Sequence, residues 1–164
     1  MRSVLAVAVA ALGAMVLQTT VFPRLTPLLV VVPNLVLVLV VYVGIRHHGA
    51  SGVVAAFALG YLLDTFAGTA LGVHAFSCTV VYVAVVVVAQ TVWVGPGLPV
   101  ALLVFAAACV HGLTTALLGA LFESSGGLWR HALRFGLLEA LAAAVLGPAV
   151  FRFLAWEKRM LGPD

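Results

Sequence analysis

Six long apolar stretches, separated by short breaks rich in proline, glycine and arginine, account for most of this chain. Each is close to the roughly 20 residues that a helix needs to cross the hydrocarbon of a membrane. Only helices and closed barrels satisfy every backbone polar group there, and these runs are continuous, whereas barrel strands alternate. The sequence therefore predicts an all-α membrane protein, a six-transmembrane-helix bundle. The predicted spans are residues 4–22, 28–45, 50–66, 70–92, 98–122 and 131–156.

The composition agrees with a lipid environment. Hydrophobic residues make up 65% of the chain and charged residues 8%, which is too little polar surface to cover a small water-soluble domain. We therefore expect residues 1–164 to form a single integral membrane domain. The first stretch resembles a signal peptide in its Arg2 and apolar run, but it continues to Phe22 without a clear small-residue cleavage site. It is predicted to be a retained helix.

The arginines and lysines between the spans predict the orientation, because cytoplasmic loops carry an excess of these residues. With six spans both termini lie on one side of the membrane. That side holds Arg2, Arg46, Arg152, Lys158 and Arg159, and the other side holds Arg24, Arg130 and Arg134. Both termini are therefore predicted to be cytoplasmic. The net charge of +3 forms no basic stripe, which argues against nucleic-acid binding.

Five ionisable residues fall inside the predicted spans, where a charge is costly. They are Asp64, His74, His111, Arg134 and Glu139. The predicted topology gathers them in the outer half of the bundle, with Asp64 and His74 nearly level on either side of a Gly68-Thr69 turn. One interpretation pairs Asp64 with His74 or Arg134 in a structural contact. The other makes Asp64 part of a proton or ion relay, which is less favoured because the inner half offers almost no partners.

Small residues recur every four positions along two predicted helices. Such ladders lie on one helical face and let two backbones approach closely. The ladders are Gly52, Ala56, Gly60 and Asp64 in the third span, and Ala108, Gly112, Ala116 and Ala120 in the fifth. Each ladder indicates either ordinary internal packing, which is favoured, or a groove for a partner helix.

Catalytic signatures are missing from the sequence. It has no Gly-x-Ser-x-Gly elbow, no His-Glu-x-x-His motif and no glycine-rich phosphate loop. Cys78 and Cys109 are interpreted as small buried hydrophobic residues, and His47-His48 as a solvated or headgroup-contacting turn. We predict no catalytic residue, no metal site and no cofactor, so the chain is not expected to be an enzyme.

An ordered set of residues in the region 33–82 resembles the rod shape-determining protein MreD family. Pro33-Asn34 opens an apolar run that Tyr42 and Arg46 close, and Gly49 follows. The set continues with Gly60, Asp64 and Gly68, and then with Leu71-Gly72-Val73-His74. Members of this family look similar: Pro-Asn or Pro-Asp heads the second helix, Gly-x-x-x-Asp ends the third, and a Leu-Gly-x-His turn leads into the fourth. The match covers about a third of the chain.

The resemblance implies a non-enzymatic subunit of the machinery that elongates rod-shaped bacteria, in the cytoplasmic (inner) membrane. Its implied partners are MreC and, indirectly, RodA, the elongation transpeptidase and the MreB filaments, so that the subunit helps couple MreB to peptidoglycan synthesis. Besides membrane lipid, the expected contact is a transmembrane helix of MreC that docks near Asp64 and His74. The predicted partner-binding or structural polar cluster is Gly60, Asp64, Gly72, His74 and Glu139, with Pro33, Asn34 and Arg46 as motif positions.

A transporter subunit is the alternative interpretation. The family is similar in its overall appearance to the substrate-binding subunits of energy-coupling-factor transporters. A subunit that binds a vitamin or another small solute is therefore the alternative function. Such a subunit needs an outward pocket lined by aromatic and polar groups. The 123–130 loop with Trp129 could cap one, but the outer loops are short and poor in aromatic residues.

Overall fold

The computed structural model describes Gly13 and residues 34–67, 71–92, 94–95, 97–122 and 127–160. Of the helical residues at the ends of these segments, the side chains of 67, 122, 127–135 and 157–160 are not described. Every regular element in this part of the chain is a helix. The five helices are α1 (Leu35–Arg46), α2 (Ala50–Ala67), α3 (Val73–Thr91), α4 (Leu98–Phe122) and α5 (Gly127–Met160). The predicted span 4–22 lies outside the described residues, apart from Gly13.

Helix α1 is the centre of the bundle. Asn34 caps its start, since the side-chain oxygen accepts a hydrogen bond from the backbone N–H of Leu37 at 3.1 Å. The ten residues from Leu35 to Gly44 are all buried, which agrees with a helix that is apolar on every side. The other four described helices all pack against it.

Helices α2 and α3 form a tight antiparallel hairpin. Leu71 and Gly72 complete the turn before α3, and Gly72 has a φ of 103°, a left-handed conformation that favours glycine. Helix α3 begins at Val73, three residues beyond the predicted start of the span at residue 70. Residues 68–70, which include the predicted Gly68-Thr69 turn, lie outside the described residues.

Helices α4 and α5 form the second hairpin and pack closely along their length. The bounds of α4 agree with the predicted span 98–122. Helix α5 has 34 residues, about 51 Å at 1.5 Å per residue, and it begins before the predicted span 131–156. The expectation that residues 127–130 belong to a loop is therefore wrong. At Gly147 of α5 an added Cβ would lie 3.1 Å from the side chain of Val104 in α4.

Three helices of the described part are long and apolar enough to cross a membrane. They cover Val73–Thr91, Leu98–Leu121 and Gly136–Trp156, while Leu35–Arg46 and Ala50–Phe66 are shorter apolar helices. The prediction of helices throughout is thus confirmed for the described residues, and three of these helices suit a multi-pass membrane protein. The count of six spans and the likeness to energy-coupling-factor subunits stay predictions.

Candidate functional site

Asp64 lies one turn before the end of α2 and is 1% exposed. Its carboxylate accepts three hydrogen bonds from backbone N–H groups at the start of α3. Oδ2 accepts from Gly72 at 2.9 Å and from Ala75 at 3.1 Å, and Oδ1 accepts from His74 at 2.9 Å. A side chain of one helix therefore caps the next helix.

The chemistry of a helix start explains this contact. The first N–H groups of a helix have no partner within it, and the aligned peptide dipoles make that end partly positive. Gly72 precedes α3 but makes no side-chain cap of its own. Asp64 supplies the missing acceptors and a negative charge, and hydrogen bonds to a charged group are worth about 1.5–3 kcal/mol each.

These contacts correct the predicted pairing of Asp64 with the side chain of His74. Asp64 bonds the backbone of His74, and the imidazole of His74 is not its partner. Arg134 belongs to α5, but its side chain lies outside the described residues. Among the described residues the partners of the carboxylate are backbone groups, and the pairing with Arg134 stays a prediction.

Gly60 permits the close approach that this cap requires. A Cβ added at Gly60 would lie 2.5 Å from the carbonyl oxygen of His74 and 2.6 Å from the Cα of Ala75. One turn earlier Ala56 is fully buried, and a Cβ at Gly52 would collide with the Tyr82 hydroxyl. The α2 ladder is therefore filled by α3 of the same chain, and the interpretation of that face as an open partner groove is wrong.

The ladder of α4 is less tightly occupied. Ala108, Gly112 and Ala116 are partly buried and Ala120 is exposed. A Cβ added at Gly112 would meet nothing within 4 Å. Whether this stripe serves internal packing or a partner stays a prediction.

A second set of polar groups joins α3 to α4 one turn beyond the cap. The imidazoles of His74 and His111 stack with their centroids 5.5 Å apart and their planes at 22°. Ser77 Oγ lies 3.0 Å from His111 Nδ1 and 3.2 Å from the His111 carbonyl oxygen. The hydroxyl donates to the carbonyl oxygen, and the direction of the bond to Nδ1 depends on which ring nitrogen of His111 carries the proton.

His74 is the member of this set whose hydrogen bonding is incomplete. Its Nδ1 is buried and has no hydrogen-bond partner among the described residues. The ring of His111 covers one side of the imidazole. His74 thus contributes its backbone N–H to the cap and its ring to the contact with α4.

Tyr82 fixes the opposite end of the α2–α3 hairpin. Its hydroxyl lies 2.8 Å from the carbonyl oxygen of His47 and 3.1 Å from that of Gly49. These two carbonyls belong to the link between α1 and α2, which gives the His47-His48 segment a structural role. His48 itself is exposed. Sequence reasoning missed Tyr82 and Ser77, although Ser77 lies one turn after His74 on the same helical face.

The remaining predicted positions do not occur among the described contacts of this site. Pro33 is outside the described residues, and Asn34 caps α1. Arg46 is the last residue of α1. Glu139 is a partly buried residue of α5. The structure therefore brings together Gly60, Asp64, Gly72 and His74 and adds His111 and Ser77 to them. Both cysteines are free thiols; Cys78 is buried as expected, whereas Cys109 is exposed.

The arrangement holds helices together. In the part of the chain that the structure describes, no group of three or more His, Cys, Asp or Glu side chains could hold a metal ion. The oxygens of Asp64 already accept three backbone hydrogen bonds. We call the contacts of Gly60, Asp64, Gly72 and His74 the α2–α3 clamp.

The helices and the clamp define a multi-pass helical membrane protein whose buried polar groups join its own helices. The chain belongs to the MreD family, because the model of that family, described as rod shape-determining protein MreD, matches residues 1–156. It is thus a cell-shape-determining membrane protein. A comparison with curated proteins and another with solved structures each found no match.

Proposed function

We propose that this protein is a non-enzymatic scaffold subunit of the bacterial cell-elongation machinery that binds a transmembrane helix of MreC. In this role it helps to couple cytoplasmic MreB filaments to peptidoglycan synthesis by RodA and the elongation transpeptidase. The match of residues 1–156 to the MreD family is the observation that carries the proposal. The links between the five helices have only three to six residues, so helix faces are the main surfaces available to a partner.

The proposed orientation puts both termini in the cytoplasm of the cell, with the bundle in the inner membrane. Arg46, at the end of α1, and Arg152, in the last part of α5, lie at one end of the bundle. Lys158 and Arg159 follow Arg152 in the same helix, while Arg130 is near the opposite end of α5. The excess of basic residues at the Arg46 end supports a cytoplasmic location for it.

The exposed surface of α2 is the proposed docking face for MreC. Phe57 and Tyr61 lie one turn apart and are 51% and 48% exposed. They adjoin the clamp without belonging to it, because Gly60 and Asp64 face α3. Helix association in lipid depends on the packing of side chains, and the clamp fixes α2 against α3 behind this face.

Co-purification from mild detergent with co-expressed MreC tests this proposal. We expect the wild-type chain to retain MreC and the double variant Phe57→Ala/Tyr61→Ala to retain roughly tenfold less, since truncating two interface side chains commonly costs 1 kcal/mol or more. The matched control is Leu113→Ala/Leu117→Ala, which removes two residues of α4 that are 71% and 62% exposed. The control should retain MreC in full.

Two outcomes contradict different parts of the proposal. If the wild-type chain retains no MreC under conditions where it remains folded, the scaffold function is wrong. If the Phe57/Tyr61 variant retains MreC as well as the control does, the docking face is wrong and the scaffold function stands. Thermal unfolding of each purified variant shows that a loss of MreC does not come from a loss of fold.

A further inference from the structure

A cavity of about 360 Å³ opens where three helices meet at the Arg46 end of the bundle. The end of α1, the start of α4 and the last third of α5 form its walls. Ligand sites of proteins commonly have volumes from about 300 Å³ upward. This cavity is separate from the α2–α3 clamp, which uses the opposite end of α2 and the start of α3.

Two arginines lie on the cavity wall. Arg46 comes from α1 and Arg152 from α5, and the two arginines are more than 100 positions apart in the sequence. Within the described residues neither guanidinium has an ion-pair or hydrogen-bond partner. Guanidinium groups bind phosphate through paired, charge-assisted hydrogen bonds, so two arginines on one cavity, neither bonded to a described residue, suit an anion that carries phosphate.

The start of α4 adds a weaker positive electrostatic potential to the cavity. Gly97 lines the cavity immediately before the helix, with a φ of 95°. Its carbonyl accepts the first helical hydrogen bond, from Ala101 at 3.1 Å. The N–H groups of the first turn therefore have no helical acceptor, and this end of the 25-residue helix is partly positive.

The rest of the lining is apolar. The ring of Phe151 is fixed by an edge-to-face contact with Tyr42 at 5.3 Å. The other apolar lining residues are Ile45, Val94, Val100, Pro148 and Ala155. A free phosphate ion gains nothing from such walls. A phospholipid offers a phosphate for the arginines and acyl chains for the apolar side, and basic pockets between membrane helices bind such headgroups.

We infer that the cavity between Arg46 and Arg152 binds one anionic phospholipid, with its phosphate between the two guanidinium groups and its acyl chains along Phe151 and Val100. Basic residues in general attract many anionic lipids to a membrane surface. This site, in contrast, binds a single phospholipid molecule and requires the cavity. It is independent of MreC binding, so the two proposals stand or fall separately.

Native mass spectrometry of the full chain in mild detergent tests the arginines. With phosphatidylglycerol we expect one saturable adduct, and with phosphatidylcholine a much weaker one. Arg46→Gln and Arg152→Gln should each weaken the phosphatidylglycerol adduct roughly tenfold, the usual scale for loss of a charge-assisted contact. The control is Arg130→Gln, which removes the same charge 22 residues away in α5, about 33 Å along the helix. It should bind as the wild type does.

A second pair of variants tests the cavity while keeping both arginines. Ala155 is an exposed residue that lines the cavity, whereas Ala149 is an exposed residue of the same helix that is not part of the lining. Ala155→Phe should abolish the single adduct and Ala149→Phe should preserve it. Since both alanines are exposed, both variants should fold.

Three results would overturn the inference. One is equal binding of phosphatidylglycerol by Arg152→Gln and Arg130→Gln, which would mean that surface charge alone attracts the lipid. Another is an undiminished adduct in Ala155→Phe. The third is complete displacement of the lipid by millimolar inorganic phosphate or glycerol 3-phosphate, which would make the site one for a free anion.

Discussion

The carboxylate of Asp64 accepts the backbone N–H of His74 at 2.9 Å, and this hydrogen bond joins two different helices. Helix caps usually come from the residue immediately before the helix. Here that residue is Gly72, which has no side chain, and the cap comes from ten residues upstream of His74 in α2. Formation of α3 in its observed position is therefore coupled to the packing of α2 against it.

Asp64→Asn should destabilise the protein while nearly preserving the size of the side chain. Asparagine has one acceptor oxygen, and its NH₂ group would face backbone N–H donors at the start of α3. We expect the free energy of unfolding to fall by about 2–4 kcal/mol, the cost of leaving buried donors without acceptors. Thermal unfolding in detergent measures this change. Faster hydrogen exchange at Gly72, His74 and Ala75 would identify its origin.

The adjacent residue provides the control for Asp64. Thr65 is exposed, and its hydroxyl bonds only the carbonyl of Tyr61 in the same helix, at 2.9 Å. Thr65→Ala should change stability by less than about 0.5 kcal/mol. An Asp64→Asn protein as stable as Thr65→Ala would show that the cap contributes nothing.

Gly60→Ala and Gly112→Ala should have opposite effects. The new methyl group at Gly60 would lie 2.5 Å from a carbonyl oxygen and 2.6 Å from a Cα, and backbone atoms cannot give way as the end of a side chain can. At Gly112 it would meet nothing within 4 Å. We expect Gly60→Ala to lose about 1–3 kcal/mol through overpacking. Gly112→Ala should be neutral or gain up to about 1 kcal/mol from the better helix propensity of alanine.

The same unfolding assay compares the two glycine variants directly. Both add one methyl group in the interior of a helix, so the difference between them isolates the close approach of α2 and α3. Equal stabilities for the two variants would contradict the contact distances at Gly60.

Ser77 and His111 should show strong coupling in a double-mutant cycle. Ser77→Ala leaves the buried Nδ1 of His111 without its partner at 3.0 Å, which costs about 1–3 kcal/mol. In His111→Phe the hydroxyl of Ser77 keeps only backbone acceptors. The double variant replaces both polar groups by apolar ones, so its loss should be smaller than the sum of the single losses by at least about 0.5 kcal/mol. Strict additivity in chemical denaturation would mean that the two residues do not interact in the folded state.

The helices themselves follow closely from the sequence, and so does the neighbourhood of Asp64 and His74. Apolar runs broken by Gly95-Pro96-Gly97 place α4 correctly, because two glycines and a proline together disfavour a continuous helix, whereas the single Pro148 lies inside α5. The near-level placement of Asp64 and His74 follows from the short link between their helices. The hydrogen bond between them could not be predicted from the sequence. Every residue except proline has a backbone N–H, so residue type does not identify the one that a carboxylate will accept.

Packing partners were harder to predict than helices. The α2 ladder indicates that another helix approaches closely. Residue type does not show whether that helix is α3 of the same chain or belongs to a partner protein. Similarly, nothing in the local sequence links Arg46 to Arg152, which meet at one cavity only after α1 and α5 have packed. The central position of α1 could not be predicted either, since the sequence of an apolar helix is the same in kind whether lipid or protein surrounds it.

The binding of Asp64 to the backbone of its own chain changes how genetic data on this protein should be understood. A screen for cells that have lost their rod shape will return substitutions at Asp64 and Gly60 because the hairpin no longer assembles and the protein is degraded. Such positions report on the abundance of the subunit in the cell. Alleles that alter shape at normal protein levels are the ones that map contacts with other components, and they belong to surfaces that this clamp leaves free.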